Sequence, residues 1–183
     1  MVSLYFVRHG EASSSWGGSV DPGLSDLGWQ QAEAVADKLS NETRPISIYS
    51  SPLQRAKDTG TALEKKWGQT ARVIPSIAEI PSSDISMDNR REWLSRLMTE
   101  KWDEQSDTLK LWREGILSTL TDQKEDAVFF THFMVLNVIV GALLGTEDIV
   151  SFRPDNCSVT KVEIRDGKNI LAYKGDEAQT VVR

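Results

Sequence analysis

Ala127-Val128-Phe129-Phe130 is an unbroken apolar run that leads through Thr131-His132 into a longer apolar stretch ending at Leu144. Large apolar residues in succession, with no polar alternation, fit a strand buried on both faces of a sheet. The stretch behind it, Met134 to Leu144, contains Asn137 and Gly141 and falls well short of the roughly 20 residues that cross a bilayer. It therefore reads as a buried core helix from about Phe133 to Leu144. A covered strand feeding directly into a helix is the repeating unit of a parallel sheet.

The same alternation extends outward in both directions. Val2 to Val7 is a short apolar strand that ends in Arg8-His9-Gly10. Ser13 to Ser19 reads as a flexible polar loop and Asp21-Pro22-Gly23 as a turn. Ser25 can cap a helix with Leu27, Ala32, Val35, Ala36 and Leu39 on one face. Ile46 to Tyr49 is a strand, after which Ser51-Pro52 offers an N-cap and an N1 proline to a second helix turning Leu53, Ala56 and Leu63 inward. Ala71 to Ile74 is a third strand candidate, leading to Glu79. Two helical stripes follow, one of Trp93, Leu94, Leu97 and Met98, the other of Leu109, Trp112, Ile116, Leu117 and Leu120. Two closing strands, around Ser158–Ile164 and Ile170–Tyr173, flank Asp166-Gly167, a hairpin signal. The pattern predicts one α/β domain over residues 1–183, a three-layer α/β/α arrangement around a mainly parallel sheet.

Composition narrows the partners. A chain of 183 residues with six tryptophans can bury a sizeable core. The formal charge of −6 argues against a general nucleic-acid or anionic-membrane role, so an anionic ligand would need a local basic pocket. The single cysteine, Cys157, excludes an internal disulfide framework and fits a reducing cytoplasm. The first apolar run is too short for a signal-peptide core and has no basic flank before it. A cytoplasmic protein without a membrane segment is expected, and the sequence assigns no oligomeric state.

The chain has only two histidines, and each follows a strand: His9 the first, His132 the apolar one. Ligand sites of open α/β sheets gather at the carboxyl ends of strands, so both histidines can meet at one crevice. Arg8 adds an anion binder beside His9, and Gly10 would let a ligand approach the backbone. Arg55 lies on the first turn of a helix that follows a strand, where free N–H groups and a guanidinium fork can both address a phosphate. Taken singly, either histidine could be a satisfied core residue and Arg55 a solvated helix residue. No Cys/His cluster or spaced carboxylate group reads as a metal site, and no cofactor is expected.

Together these residues resemble the histidine phosphatase superfamily, which includes the cofactor-dependent phosphoglycerate mutases. The resemblance is carried by Arg8-His9-Gly10-Glu11, Leu24-Ser25-x-x-Gly28-x-x-Gln31-Ala32, Ser50-Ser51-Pro52-Leu53-x-Arg55-Ala56-x-x-Thr59, Glu79 and Thr131-His132. It continues to Asp155-Asn156-Cys157-Ser158-Val159-Thr160, so it covers almost the whole chain. It implies a phosphoglycerate mutase-like fold and a phosphohistidine formed on His9. Arg8, Arg55 and His132 would bind the phosphoryl oxygens, and the Phe133 N–H could help from the start of its helix. His9 would be neutral, its second nitrogen held by a hydrogen bond to a backbone carbonyl. Glu79 would give the leaving alkoxide its proton, and Glu11 would support the pocket through hydrogen bonds.

The chain departs from the family pattern at three places. Ser15 stands near the position where relatives often carry an asparagine, and it is taken as a substrate contact. Phe133 replaces a frequent glycine after the second histidine, and Ile80-Pro81-Ser82-Ser83 replaces the Gly-x-Trp-Glu-Gly signature after Glu79. The expected activity is metal-independent hydrolysis of small phosphate monoesters. A mutase-type phosphotransferase and a phosphohistidine or phosphoprotein phosphatase are alternatives within the family. The alternative from another class is a binding module for a phosphorylated ligand. Retention of His9, Arg55 and His132 and the short segment after Glu79 favour the hydrolase.

Overall fold

A computed structural model describes residues 1–14, 20–82 and 85–178. Among the described residues the chain forms six strands and five α-helices: β1 (Val2–Arg8), α1 (Asp26–Glu42), β2 (Ser47–Ser50), α2 (Gln54–Trp67), β3 (Arg72–Val73), α3 (Met87–Leu97), α4 (Asp107–Thr121), β4 (Ala127–Thr131), α5 (Phe133–Leu144), β5 (Val159–Arg165) and β6 (Lys168–Tyr173). The strands make one sheet in the order β3-β2-β4-β1-β5-β6. β3, β2, β4 and β1 are parallel neighbours, whereas β5 runs antiparallel to both β1 and β6. Three of the five pairings are parallel, so the sheet is mainly parallel as expected, and a closing hairpin makes it mixed. Asp166 and Gly167 take φ values of 50° and 75° in its turn, the left-handed pair that matches the twist of two joined strands.

The two faces of the sheet are two apolar clusters. Tyr5 and Val7 of β1 and Val128 and Phe130 of β4 pack against Val35, Ala36 and Leu39 of α1 and Ala56 and Leu63 of α2. Leu4, Phe6, Ala127 and Phe129 face the other way, onto residues of α3, α4 and α5. Phe129 stacks between Phe6 and Tyr49, at ring-centroid distances of 4.7 and 5.0 Å. Both faces of the central strands are covered, which is why the alternation in β1 and β4 is between two apolar sets rather than between apolar and polar.

This layering creates the crevice. β1 leads into α1 on one face and its neighbour β4 leads into α5 on the other, so the two connections part at their carboxyl ends. α5 is buried through most of its length, and its single amide side chain has a structural task. Asn137 Oδ1 accepts the backbone N–H groups of Ser151 and Phe152 at 2.8 and 3.1 Å, and its Nδ2 donates to the Phe133 carbonyl. Among the described residues no helix is long and apolar enough to cross a membrane.

Two local expectations need correction. Leu27, expected on the inner face of α1, is exposed, and Gly28 is the buried residue of that turn. Ser25 does cap the helix, accepting the Gly28 N–H. The second correction concerns α2, which starts at Gln54 with Leu53 as N-cap, three residues after Ser51. Ser51, just past β2, is still tied to the sheet, donating its backbone N–H to the Phe130 carbonyl, while its hydroxyl accepts from the Leu53 N–H.

Candidate active site

His9 is the first residue past β1, and its N–H donates to the Thr131 carbonyl at 2.9 Å. That bond ties the two strand ends together and brings the His9 and His132 rings to 5.2 Å between centroids. His9 Nδ1 faces the carbonyl of Gly10 at 2.7 Å. A carbonyl only accepts, so Nδ1 carries the proton and Nε2 keeps its lone pair. Arg55 Nε donates to that Nε2 at 3.2 Å. Burial, then the charges of Arg8 and Arg55, hold the His9 imidazolium well below its ordinary range, against the pull of the Gly10 carbonyl. His9 is therefore neutral at pH 7.

The two arginines are held from different elements. Arg8 ends β1 and donates from its guanidinium to the Pro154 carbonyl at 2.8 Å, while the Phe133 ring lies 5.4 Å from its Cζ. Arg55 sits on the first turn of α2, 8% exposed, with Asp21 4.0 Å from one terminal nitrogen. Burial lowers the pKa of both arginines, and the nearby Glu79 carboxyl opposes this in each case. A buried guanidinium, Arg55, and a half-buried one, Arg8, beside a neutral imidazole form a compact site for a dianion.

Glu79 is 7% exposed. Its carboxyl accepts the Ile80 N–H through Oε1, and Oε2 has no protein partner among the described residues. Burial raises its pKa, and Arg55 and Arg8 only partly offset this. A bound phosphate would raise it too, but desolvation already supplies the shift in the free protein. The segment before Glu79 is pinned at two points: Thr131 Oγ1 donates to the Ile77 carbonyl and Trp112 Nε1 to the Ala78 carbonyl. The tryptophan of α4 thus fixes the approach to the acid.

His132 is the N-cap residue of α5 and fully buried. Burial is the main cause that keeps its pKa well below the ordinary range, with His9, Arg55 and Arg8 adding to it. Phe133 opens α5, in the place expected of it, and its ring covers Arg8. Ser15 lies outside the described residues.

Gly10 also has a packing role. Its N–H donates to Thr59 Oγ1, and a Cβ on Gly10 would come 2.7 Å from the Gly28 carbonyl oxygen. A Cβ on Gly28 would in turn run into the Glu11 carbonyl. The two glycines let α1 lie directly on the loop that carries His9. Glu11 locks this contact, since its carbonyl accepts the Ser25 N–H, its carboxylate the Ser25 hydroxyl, and its N–H donates to Gln31 Oε1.

Several residues carried no role in the site from sequence. Asn156 donates to the His9 carbonyl at 3.0 Å, and the Cys157 N–H donates to the Arg8 carbonyl. Cys157 takes a left-handed φ of 55°, and burial pushes its thiol up to about 12, so it packs rather than reacts. Thr59 links Gly10 to α2 by donating to the Arg55 carbonyl. Ser51 Oγ stands 2.7 Å from His132 Nε2. All four belong to the sequence blocks quoted above, but hydrogen bonds between distant segments leave no periodic trace. Among the described residues there is no group of three or more His, Cys, Asp or Glu able to hold a metal ion.

Phosphoserine phosphatase 1 of Hydrogenobacter thermophilus is 28% identical over 204 aligned positions, covering 93% of this chain and 90% of that one. The metal-independent phosphoserine phosphatase of Arabidopsis thaliana is 35% identical over 85 residues, 44% of this chain but only 34% of the plant protein, so this chain matches about a third of its length. The phosphoserine phosphatase of Entamoeba histolytica, solved with 3-phosphoglyceric acid, superposes with a TM-score of 0.72 at 22% identity, over 98% of each chain, a likeness of fold. The family model of the histidine phosphatase superfamily (branch 1) matches residues 4–177, and the chain belongs to that superfamily.

Proposed function

We propose that this chain is a phosphatase of small phosphate monoesters, working without a metal through a phosphohistidine on His9. One observation carries the reading: a buried, neutral imidazole whose Nδ1–H is held by a carbonyl, with its Nε2 lone pair facing a buried arginine. Relatives named as phosphoserine phosphatases support it. In the first step His9 Nε2 attacks phosphorus, the P–O ester bond breaks, and Glu79 passes its proton to the leaving alkoxide. In the second, water attacks the phosphohistidine, the Glu79 carboxylate takes a proton from it, and the P–N electron pair returns to Nε2. Substrate oxygens take over Arg55 Nε–H from the imidazole, so binding itself frees the nucleophile. Arg8, Arg55 and His132 bear the charge of the transferring group, the task that Mg²⁺ performs in other phosphoryl-transfer enzymes. The free cysteine fits a cytoplasmic location, and the family match from residue 4 to 177 supports one catalytic unit.

Purified protein in excess EDTA should release phosphate from an aryl phosphate, and a panel containing phosphoserine and 3-phosphoglycerate should reveal the preferred ester. His9→Ala should abolish release, and Arg55→Ala should lower kcat by about 10²–10³-fold, the loss typical of a preorganised charge donor. Activity that EDTA removes, or that survives His9→Ala, contradicts the reading.

A further inference from the structure

We propose that Ser51 is a positioning residue that fixes His132 as the Nδ1–H tautomer, so that the ring points a donor at the transferring phosphoryl group. This rests on the reading of His132 as a phosphoryl-oxygen donor and adds what makes it one. A neutral imidazole has one N–H, and which nitrogen bears it decides whether the ring attracts or repels a phosphate oxygen.

The hydrogen count at Ser51 settles the choice. Ser51 is fully buried, and its Oγ has two neighbours: the Leu53 N–H at 3.2 Å, which can only donate, and His132 Nε2 at 2.7 Å. If Nε2 carried the proton, Oγ would accept twice, its own hydrogen would have no acceptor and Nδ1 would have no donor, two buried groups left unpaired where the other tautomer leaves only Nδ1–H. If the hydroxyl donates to Nε2 instead, both Ser51 and Nε2 are satisfied. The proton then sits on Nδ1, a buried atom with no protein partner among the described residues. That nitrogen belongs to a ring 5.2 Å from the His9 ring, in the site flanked by Arg55 and Arg8. The late start of α2 has its reason here. Ser51, just past β2, is tied by its N–H to Phe130 on the strand that also delivers His132, so its hydroxyl reaches His132 Nε2 as well as the Leu53 N–H ahead of the helix.

The chain has only two histidines, so ¹⁵N-histidine labelling gives two rings to resolve, and His9→Ala leaves the His132 signals alone. The nitrogen shifts of the wild-type protein should show Nδ1 protonated and Nε2 unprotonated at His132, with inorganic phosphate perturbing Nδ1 more than Nε2. Ser51→Ala should mix or invert the tautomers and lower kcat by about tenfold to a hundredfold, below the full loss of a direct donor, with a smaller change in KM. Ser51→Thr keeps the hydroxyl and should keep the tautomer and recover most of kcat. A wild-type His132 protonated at Nε2 overturns the proposal, as does a Ser51→Ala protein with unchanged tautomer or unchanged kcat. Should Ser51→Ala fail to fold, the wild-type spectrum and Ser51→Thr still decide. The spectra need no turnover, so an inactive protein with the Nδ1–H tautomer would count against the phosphatase reading and leave the role of Ser51 standing.

Discussion

Whether an imidazole attacks phosphorus depends on which of its nitrogens keeps a lone pair, and at His9 the Gly10 carbonyl decides that by holding Nδ1–H at 2.7 Å. The acid is set in the same way by its surroundings, because burial keeps the Glu79 carboxyl protonated to higher pH than an exposed glutamate. A group that must donate to an alkoxide matters most when the leaving group is basic. Glu79→Gln should therefore slow hydrolysis of an alkyl phosphate by roughly 10²–10⁴-fold, and that of a nitrophenyl ester far less. The wild-type rate should rise as His9 loses its proton and fall as Glu79 loses its own, and Glu79→Gln should remove the alkaline limb. Equal losses on both esters would show that Glu79 is not the proton donor.

At the level of elements, the crevice depends on how closely α1 approaches the loop after β1. Gly28→Ala forces a methyl group into the Glu11 carbonyl and should cost about 1–3 kcal/mol, with a fall in activity as His9 shifts. Gly115, within α4, has open space where a methyl group would sit, with no described atom within 4 Å, so Gly115→Ala should gain about 0.5–1 kcal/mol from helix propensity alone. Urea denaturation of both variants measures the contrast; equal effects would mean that the glycine pair does not set the α1 contact. These contacts mark the boundary of what the sequence discloses. The strands leading to His9 and His132, the Ser25 cap and the Asp166-Gly167 turn are local signals, legible because each rests on neighbouring residues. Leu27 misleads because helical periodicity fixes a stripe only to within a residue, and the Gly10–Gly28 contact selects the buried side. The support given by Asn156, Trp112 and Ser51 comes from segments far apart in the chain, and only the assembled sheet brings them to the site.

For the molecule as a whole, concentrating two histidines and a carboxylic acid at buried positions makes stability depend on pH. The folded pKa values of His9 and His132 lie below the ordinary 6.5, so as pH falls the unfolded chain binds protons that the folded chain refuses. Their contribution is complete above pH 6.5 and is lost below it, at up to about 1.4 kcal/mol per pH unit for each histidine. Glu79 has the opposite sign. Its folded pKa is raised above the ordinary 4.5, so its contribution is present below pH 4.5 and lost as pH rises through the folded value. His9→Ala should accordingly flatten the fall in Tm between pH 7 and pH 5, and Glu79→Gln should raise Tm near neutrality. Parallel curves for wild type and both variants would mean that these groups ionise alike in the folded and unfolded chain.

The whole arrangement converges on one atom, His9 Nε2, and a covalent intermediate there can be trapped. Rapid quenching into alkali during turnover of a good aryl phosphate, followed by peptide mass spectrometry, should find an acid-labile, base-stable phosphoryl group on His9, absent from His9→Ala. A phosphoryl group on His132 instead, or active enzyme that never carries one, would contradict the mechanism.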